Sequence, residues 1–209
     1  MLNKNKRFTL LIIFFLTVLL SLYFVIHINS KNPVIIGMHD PQKLFRDEKK
    51  ITLFSDYFAW NKELSVIHQE LENLPNQNQT FLITIEPWPT PVGFKYDSNN
   101  ELLNAIINGS YNQTILDICQ ILSNTNRPVY IRWGHEMEMS NSRYPWAGAS
   151  PALFKEAYQK FVNLCKSKIN SDNVKFVWSP AGEQGLENYW PGAEYVDLIG
   201  LSVYSYDQY

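Results

Sequence analysis

The sequence predicts an α/β fold with a parallel sheet, because short apolar segments with strand character alternate along the chain with longer segments of helical periodicity. Polar or aromatic residues follow nearly every predicted strand. The first predicted strand is not followed by the glycine-rich phosphate turn that a doubly wound open sheet is expected to carry. These three observations favour a TIM (β/α)8 barrel. About six strand–helix units can be traced where about eight close such a barrel, so the predicted barrel is incomplete.

The predicted strands are short apolar or alternating runs, and the segments between them place apolar residues at helical spacing. The last predicted helix has a clear start signal, with Ser150 as N-cap and Pro151 at the first helical position. The predicted strands span residues 34–38, 51–57, 81–85, 129–132, 174–178 and 196–204, and the predicted helices span residues 62–74, 101–107, 115–122 and 151–169.

Polar and aromatic side chains close the predicted strands on their C-terminal side. Because the carboxyl ends of parallel strands meet on one face, and β/α barrels build their active sites there, these residues predict a long cleft lined by aromatic rings. From the first strand to the last they are His39 and Asp40, Asp56 and Trp60, Glu86 and Trp88, His135 and Glu136, Trp178 and Ser179, and Tyr204 and Tyr206.

The N-terminal segment differs from the rest of the chain. Lys4, Lys6 and Arg7 precede a run over residues 8–28 with no charged residue apart from a possible charge on His27, and this run is about long enough to cross a bilayer as one helix. We therefore expect residues 1–30 to form a cytoplasmic N-terminus and a transmembrane signal anchor, and residues 31–209 to form one barrel domain outside the cytoplasm. A cleaved signal peptide, which would give a secreted protein, is the alternative.

Composition limits the range of partners. A chain of 209 residues with 45% hydrophobic and 18% charged residues can bury one substantial core, and a net charge of -2 gives no reason to expect a nucleic-acid partner. His39, Asp40 and His135 do not form a ligand spacing such as His-Glu-x-x-His. We therefore predict neither a metal ion nor a cofactor.

The cysteines lie at apolar positions of two successive predicted helices, Cys119 in one and Cys165 in the next. Buried free thiols are the preferred interpretation, because a free cysteine behaves as a small apolar residue. An exported location would permit a disulfide bond between them, and the sequence does not show whether they meet.

One carboxylic acid, Glu136, stands at the end of an apolar run and close to aromatic residues. Rings of Trp133, Tyr144 and Trp146 would surround it with a poorly solvated pocket, which disfavours the charged form and raises the pKa of a carboxylic acid. Such a group suits a proton donor for a sugar. The alternative is an ion pair with Arg132 or Arg143, which would lower the pKa instead.

Two segments of the sequence resemble glycoside hydrolase family 26, which includes β-mannanases, mixed-linkage glucanases and some xylanases. The first runs from Ile131 to Glu136 and is followed by Tyr144-Pro145-Trp146-Ala147-Gly148. The second combines Phe176-Val177-Trp178-Ser179-Pro180 with the run from Tyr189 to Gly200. The resemblance implies a TIM barrel that hydrolyses a β-glycan, β-mannan or a β-glucan, with retention of configuration.

The resemblance also implies roles for individual residues. Glu136 would be the general acid/base and His135 its neighbour, Arg132 a supporting cation, Trp146 a ring of the substrate platform and Tyr204 a hydrogen-bond donor to the nucleophile. Because they lie at predicted strand ends, Trp88, Trp178 and Glu86 are further candidates for substrate binding, with Glu86 bonded to a sugar hydroxyl or to Arg132. The sequence departs from the family pattern at Glu138, where Asn is common, and at Ser202, where an acidic residue is frequent.

In this family the nucleophile is a second Glu after the seventh strand, and retaining hydrolysis needs two carboxyl groups about 5 Å apart. The predicted strands reach only the sixth, so we expect the nucleophile to be absent from this chain and turnover of mannan or β-glucan to be unmeasurable. A non-catalytic glycan-binding surface protein and an inactive fragment are the alternatives.

Overall fold

The computed structural model describes residues 16–17, 37–74, 79–140, 143–169 and 172–202. The chain divides into two compact units, Met1–Ile35 and Ile36–Tyr209. In the first unit the described residues are Leu16 and Thr17, which are helical. The rest of the predicted anchor, and Tyr204 and Tyr206, lie outside the described residues. Among the helices of the described part of the chain, none is long and apolar enough to span a membrane.

The second unit contains one six-stranded sheet in which every pairing is parallel and the spatial order follows the order along the chain. A sequential order of parallel strands is that of a barrel, whereas a doubly wound sheet changes direction at a switch point. The predicted fold class is therefore confirmed as an incomplete barrel. The strands are β1 (Gly37–His39), β2 (Leu53–Ala59), β3 (Thr80–Glu86), β4 (Val129–Trp133), β5 (Val174–Trp178) and β6 (Leu198–Ile199).

Four helices of the second unit connect the strands: α1 (Ser65–Glu72), α2 (Asn99–Ile107), α3 (Asn112–Ser123) and α4 (Pro151–Lys166). Pro151 takes the first helical position of α4 as predicted, but the side chain of Ser150 makes no capping hydrogen bond. Short 3-10 turns at Leu186–Tyr189 and Ala193–Tyr195 lie between β5 and β6. Each predicted helix is thus present, with ends that differ by a few residues.

Side chains of β4 alternate between the two faces of the sheet. Val129, Ile131 and Trp133 are buried, and the ring of Trp133 stacks on Phe161 of α4 with the centroids 5.3 Å apart. The intervening residue Arg132 therefore points to the inner face. Packing of α4 on the outer face leaves the inner face available for polar groups.

Cross-strand register brings inner-face residues of three strands into one row. Tyr57 of β2 is paired with Thr84 of β3, and Thr84 is paired with Arg132 of β4. Glu86 lies two residues further along β3, so it belongs to the next row of the same face, at the C-terminal edge. This register places a cation, a hydroxyl, a phenol and a carboxylate at the end of the sheet where the predicted cleft lies.

The expectation of free thiols is wrong, because Cys119 of α3 and Cys165 of α4 form a disulfide bond. Their Cα atoms are 5.1 Å apart, within the usual range for a disulfide. Both residues are fully buried. The sequence correctly placed them on neighbouring helices, but the axial and rotational alignment of α3 against α4 decides whether the sulfur atoms meet.

Candidate active site

The turn after β4 presents Glu136 in an unusual backbone conformation. Gly134 has φ 56° and Glu136 has φ 55°, in the left-handed region that residues other than glycine rarely adopt. The turn is held from both sides, since the Glu136 N–H donates to the Ser179 carbonyl at 2.8 Å and the Gly148 N–H donates to the Met137 carbonyl at 2.9 Å. Hydrogen bonds to the neighbouring loops therefore maintain a strained residue at the site, which is a frequent feature of functional positions.

Glu136 is only 3% exposed, yet it lines a cavity of about 440 Å³. Ser202 Oγ donates a hydrogen bond to Glu136 Oε1 at 2.7 Å. The predicted burial of this acid is confirmed, whereas the rise in its pKa that burial was expected to cause stays a prediction. The other residues of the cavity, hereafter the acid cavity, are Tyr57, Glu86, Trp88, His135, Arg143 and Tyr144.

His135 is enclosed by aromatic rings. Its centroid lies 4.7 Å from that of Tyr144, 5.7 Å from that of Tyr57 and 5.8 Å from that of Trp146. Burial lowers the pKa of His135 to about 4. The positive charges of Arg132 and Arg143 act in the same direction, and the Glu136 carboxylate acts against them. The imidazole is therefore neutral at neutral pH, and it adds no positive charge beside Glu136.

The Arg132 side chain is fixed by its own row of the sheet. Its Nε donates to Thr84 Oγ1 at 2.8 Å, and its guanidinium carbon lies 5.2 Å from the centroid of the Tyr57 ring. Tyr57 itself is 44% exposed. The predicted supporting cation thus contacts the phenol at the mouth of the site.

Glu86 and Trp88 form the opposite wall of the acid cavity. Trp88 Nε1 donates to Glu86 Oε2 at 3.0 Å. The alternative hydrogen bond between Glu86 and Arg132 is not among the contacts of the described residues. Both side chains line the cavity as predicted, and binding of a sugar hydroxyl by Glu86 stays a prediction.

Two of the predicted substrate-binding rings are buried. Trp146 has no exposed surface, its Nε1 donates to the His135 carbonyl at 2.8 Å, and its ring is stacked on Tyr144 with the centroids 4.7 Å apart. Trp178 is 3% exposed and contacts Trp190 edge to face. Both rings are thus buried in the described part of the structure, and the predicted roles of Trp146 and Trp178 in substrate binding stay predictions. Trp146 supports His135 and Tyr144 from behind.

Both departures from the family pattern have a place in the structure. Ser202 supplies the hydroxyl that bonds Glu136. Glu138 Oε1 accepts hydrogen bonds from the backbone N–H groups of Gly182 and Glu183, at 2.9 and 3.2 Å. Glu138 therefore ties the loop after β4 to the loop after β5, which also supplies the acceptor for the Glu136 N–H.

Sequence reasoning missed Tyr57 as a site residue and considered Arg143 only as an ion-pair partner. Tyr57 lies within the apolar run of β2, and the pairing with Thr84 that brings it to the site depends on strand register. Arg143 follows the turn after Glu136, and its guanidinium carbon lies 5.1 Å from the Tyr144 centroid. Alternation along β2 from the buried Phe54 was the available signal for Tyr57, since it indicates residues on both faces of the strand.

Within the described ranges, no three or more His, Cys, Asp or Glu side chains are grouped in a way that could hold a metal ion. The site is therefore defined by one buried carboxylic acid, a second carboxylate on the wall, two arginines and a set of aromatic rings. Such a group of side chains at the C-terminal ends of parallel strands lies where β/α-barrel enzymes build their active sites.

Comparison with known proteins identifies the family. The model of glycosyl hydrolase family 26 matches residues 47–209, more than half of the sequence, and the chain belongs to this family. A β-1,3-xylanase from Alcaligenes sp. is 28% identical over 123 residues, which cover 56% of this chain and 25% of that protein. A mannan endo-1,4-β-mannosidase from Bacillus subtilis (strain 168) is 31% identical over 105 residues, which cover 46% of this chain and 28% of that protein. The matched part spans about a quarter of the length of these relatives.

Solved structures share the fold. GH26A from Muricauda sp. superposes with a TM-score of 0.58 at 15% identity, covering 80% of this chain and 67% of that one. A modular endo-β-1,4-mannanase from Cellulomonas fimi superposes with a TM-score of 0.58 at 18% identity, covering 73% of this chain and 41% of that one. The likeness at this low identity concerns the fold, and it agrees with a curled half-barrel of six parallel strands.

Proposed function

We propose that this chain carries the general acid/base of a retaining, endo-acting family 26 glycosidase, and that Glu136 is that group. The observation that carries the proposal is the burial of Glu136 at the wall of an open cavity at the C-terminal end of β4. A carboxylic acid held away from bulk water is disfavoured in its charged form, as a proton donor requires. Neutral His135 supports this role because it offers no adjacent cation that would favour the anion.

The proposed reaction follows the chemistry of retaining glycosidases. Glu136 gives its proton to the glycosidic oxygen while a second carboxylate attacks the anomeric carbon and forms a glycosyl-enzyme. Glu136, now a carboxylate, then removes a proton from the water that releases the sugar. The Ser202 hydroxyl, 2.7 Å from Glu136 Oε1, is a donor that supports the carboxylate in this second step.

The nucleophile is placed in a strand beyond β6, as the family resemblance implies. Glu86 is the other carboxylate of the acid cavity, and its hydrogen bond from Trp88 Nε1 suits a group that orients a substrate rather than one that attacks it. We assign Glu86 to a hydroxyl of the bound sugar, with Trp88 and the exposed ring of Tyr57 as apolar surfaces beside it. Tyr204, which would contact the nucleophile, stays part of this proposal.

The proposed substrate is β-mannan or a related β-glycan. This choice rests on the family and on its two kinds of matched relatives, a β-1,3-xylanase and mannan endo-1,4-β-mannosidases. Aromatic rings around an open cavity are suited to the apolar faces of sugar units. The second candidate function is glycan binding without hydrolysis. The same cavity would bind the glycan, and hydrolysis would not follow if no nucleophile is present.

We further propose that residues 1–30 anchor the protein as a signal anchor and that the barrel lies outside the cytoplasm, with secretion as the alternative. The apolar run over residues 8–28 behind three basic residues supports the anchor. The disulfide between Cys119 and Cys165 supports the location, because such bonds persist in oxidising compartments and are rare in the cytosol. Protease digestion of intact cells tests it, since an exported barrel is degraded and a cytoplasmic one is protected.

Azide rescue tests the role of Glu136. A chain that includes the strand beyond β6 with the proposed nucleophile, and the Glu136→Ala variant of that chain, are assayed on β-mannan, β-1,3-xylan and a dinitrophenyl β-mannoside, whose leaving group needs no protonation. Loss of the acid is expected to slow polysaccharide hydrolysis by about 10²- to 10⁴-fold, and azide is expected to restore release of dinitrophenol by forming a β-glycosyl azide. Glu183→Ala, an exposed carboxylate on the loop after β5, is the matched control.

Wild-type polysaccharide hydrolysis by the Glu136→Ala variant would overturn the assignment. An inverted azide product would do the same, since it shows a direct displacement. If neither chain hydrolyses any substrate but both bind mannohexaose or xylohexaose in calorimetry, the glycan-binding candidate replaces the enzyme.

A further inference from the structure

A second cavity of about 710 Å³ lies next to the acid cavity. The two share Glu86, Trp88 and Arg143 as lining residues, so they adjoin each other along these side chains. The second cavity, hereafter the side groove, extends along the loop after β3 and the start of α2. A polymer whose scissile bond lies at Glu136 would therefore continue into the side groove.

Hydrogen bonds from other elements hold the wall of the side groove. Trp60 Nε1 donates to the Trp88 carbonyl at 2.6 Å, and Asn61 Nδ2 donates to the Pro89 carbonyl at 2.9 Å. The hydroxyl of Tyr111 accepts from the Thr90 N–H at 3.3 Å. A wall anchored at successive residues is formed before a ligand arrives, which reduces the entropic cost of binding.

A ring pair and a partly buried hydrogen bond lie further along this wall. Phe94 is 45% exposed and contacts Tyr96 edge to face, with the centroids 4.9 Å apart. The Tyr96 hydroxyl lies 3.2 Å from that of Tyr111, and burial raises the pKa of Tyr96 to about 12, so the hydroxyl stays protonated. The groove thus offers an apolar ring surface of the kind on which sugar rings stack.

The charge of the side groove is opposite to that of the whole chain. The sequence has a net charge of -2, whereas the groove is lined by Lys62, Lys95 and Arg143 against the one carboxylate of Glu86. Among the ion pairs of the described residues, none involves Lys62 or Lys95. Two lysines that face a concave site without an acidic partner there create a positive potential, which raises the local concentration of anions.

We propose that the side groove selects glycans that carry an anionic substituent, a sulfate ester or a carboxylate, on sugar units next to the cleavage site. The inference rests on the proposed function, because the position next to the acid cavity is what identifies the ligand as a glycan. A neutral chain would use the rings and the hydrogen-bonding groups, but it would leave the lysines without a partner. Sulfate and carboxylate both accept charge-assisted hydrogen bonds from Lys and Arg, and arginine binds them with two parallel bonds.

Calorimetry with matched oligosaccharides tests this proposal on the full chain. The probes are mannohexaose and β-1,3-linked xylohexaose, each in neutral and sulfated form, and mannohexaose oxidised at C6 to the carboxylate. An anionic form is expected to bind about 3- to 30-fold more tightly than its neutral parent at low ionic strength, since two partly exposed ion pairs contribute modestly. The sulfated and oxidised probes distinguish the two anion sources. The advantage should shrink in 0.5 M NaCl because the charges are screened.

The double variant Lys62→Gln/Lys95→Gln is expected to bind neutral and anionic probes alike. Lys49→Gln/Lys168→Gln, which removes two exposed lysines outside the groove, is the matched control and should keep the preference. Equal affinity for neutral and anionic probes in the wild type overturns the proposal while leaving the role of Glu136 intact. A preference that survives loss of Lys62 and Lys95 also overturns it. Failure to bind any probe overturns both the groove and the glycan assignment, whereas loss of azide rescue alone affects only the catalytic role.

Discussion

Reduction of the disulfide between Cys119 and Cys165 should destabilise the barrel markedly. The cysteines are separated by 46 residues, and closing a loop of this size in the unfolded chain corresponds to about 4 kcal/mol at 25 °C in the chain-entropy estimate. That is a large share of the roughly 5–15 kcal/mol that stabilises a typical domain. For a domain of this size the loss corresponds to a decrease of about 8–16 °C in Tm.

The assay compares urea unfolding of the oxidised and reduced wild-type protein, followed by tryptophan fluorescence. Reduction keeps both sulfur atoms in the core, so the comparison isolates the cross-link from the packing. The variant Cys119→Ala/Cys165→Ala is the control, because the reductant should leave its unfolding midpoint unchanged. Titration of both thiols in the denatured, unreduced wild type would refute the bond. A reduced protein within 1 kcal/mol of the oxidised one would refute the estimate of its contribution.

Three further changes probe the site and its walls. Burial lowers the pKa of His135 to about 4 from its ordinary 6.5, so below pH 6.5 the unfolded chain binds a proton more readily than the folded protein does. The free energy of unfolding should therefore decrease by up to about 3 kcal/mol as the pH is lowered from above 6.5 to 4, which urea unfolding midpoints measure. Thr84→Val removes the acceptor for Arg132 Nε in a fully buried place and should cost about 1–3 kcal/mol in urea unfolding. Trp60→Phe keeps an aromatic ring against Tyr111 but removes the hydrogen bond to the Trp88 carbonyl, so calorimetry should show oligosaccharide affinity lowered about 5-fold.

Each of these changes has a matched control. His135→Gln should lose the part of the acid sensitivity that lies between pH 6.5 and 4, and an unchanged profile would show that other groups cause it. Thr114→Val, at a half-buried position of α3, should change the free energy of unfolding little. An equal loss of stability in Thr84→Val and Thr114→Val would contradict the role of Thr84. Trp190 lines neither cavity, so Trp190→Phe should leave the affinity for oligosaccharides unchanged. Undiminished binding by Trp60→Phe would show that the wall does not depend on that hydrogen bond.

The fold was predictable because barrel strands and helices leave strong local patterns. A parallel strand covered by helices needs a short run of apolar residues, and a helix packed on a sheet needs one apolar face. β4, β5 and α4 show these patterns clearly, and their positions agree with the predicted ones within a few residues. The segment between β5 and β6 forms 3-10 turns with no longer helix, which matches the absence of a helical prediction there.

The position of Glu136 could also be predicted from the sequence, because Glu136 follows closely after the strand that positions it. Tyr57 could not, since its arrival beside Arg132 depends on the register of β2 against β3 and of β3 against β4. The burial of Trp146 was equally hidden. The sequence pattern around an aromatic loop residue is the same whether the ring covers a core or lines a cleft. Only the packing of Tyr144 on the Trp146 ring shows that Trp146 belongs to the core.

Local order along the chain was therefore sufficient to establish the alternating strands and helices, their parallel arrangement and the end of the sheet at which an acidic group would be placed. Contacts between residues distant in sequence decided the rest: the bond between Cys119 and Cys165, the enclosure of His135 and the joining of two cavities through Glu86, Trp88 and Arg143. The physical reason is that periodicity reports which face of an element is apolar, whereas the alignment of one element against another is set by the sum of many weak packing contacts that no short segment contains.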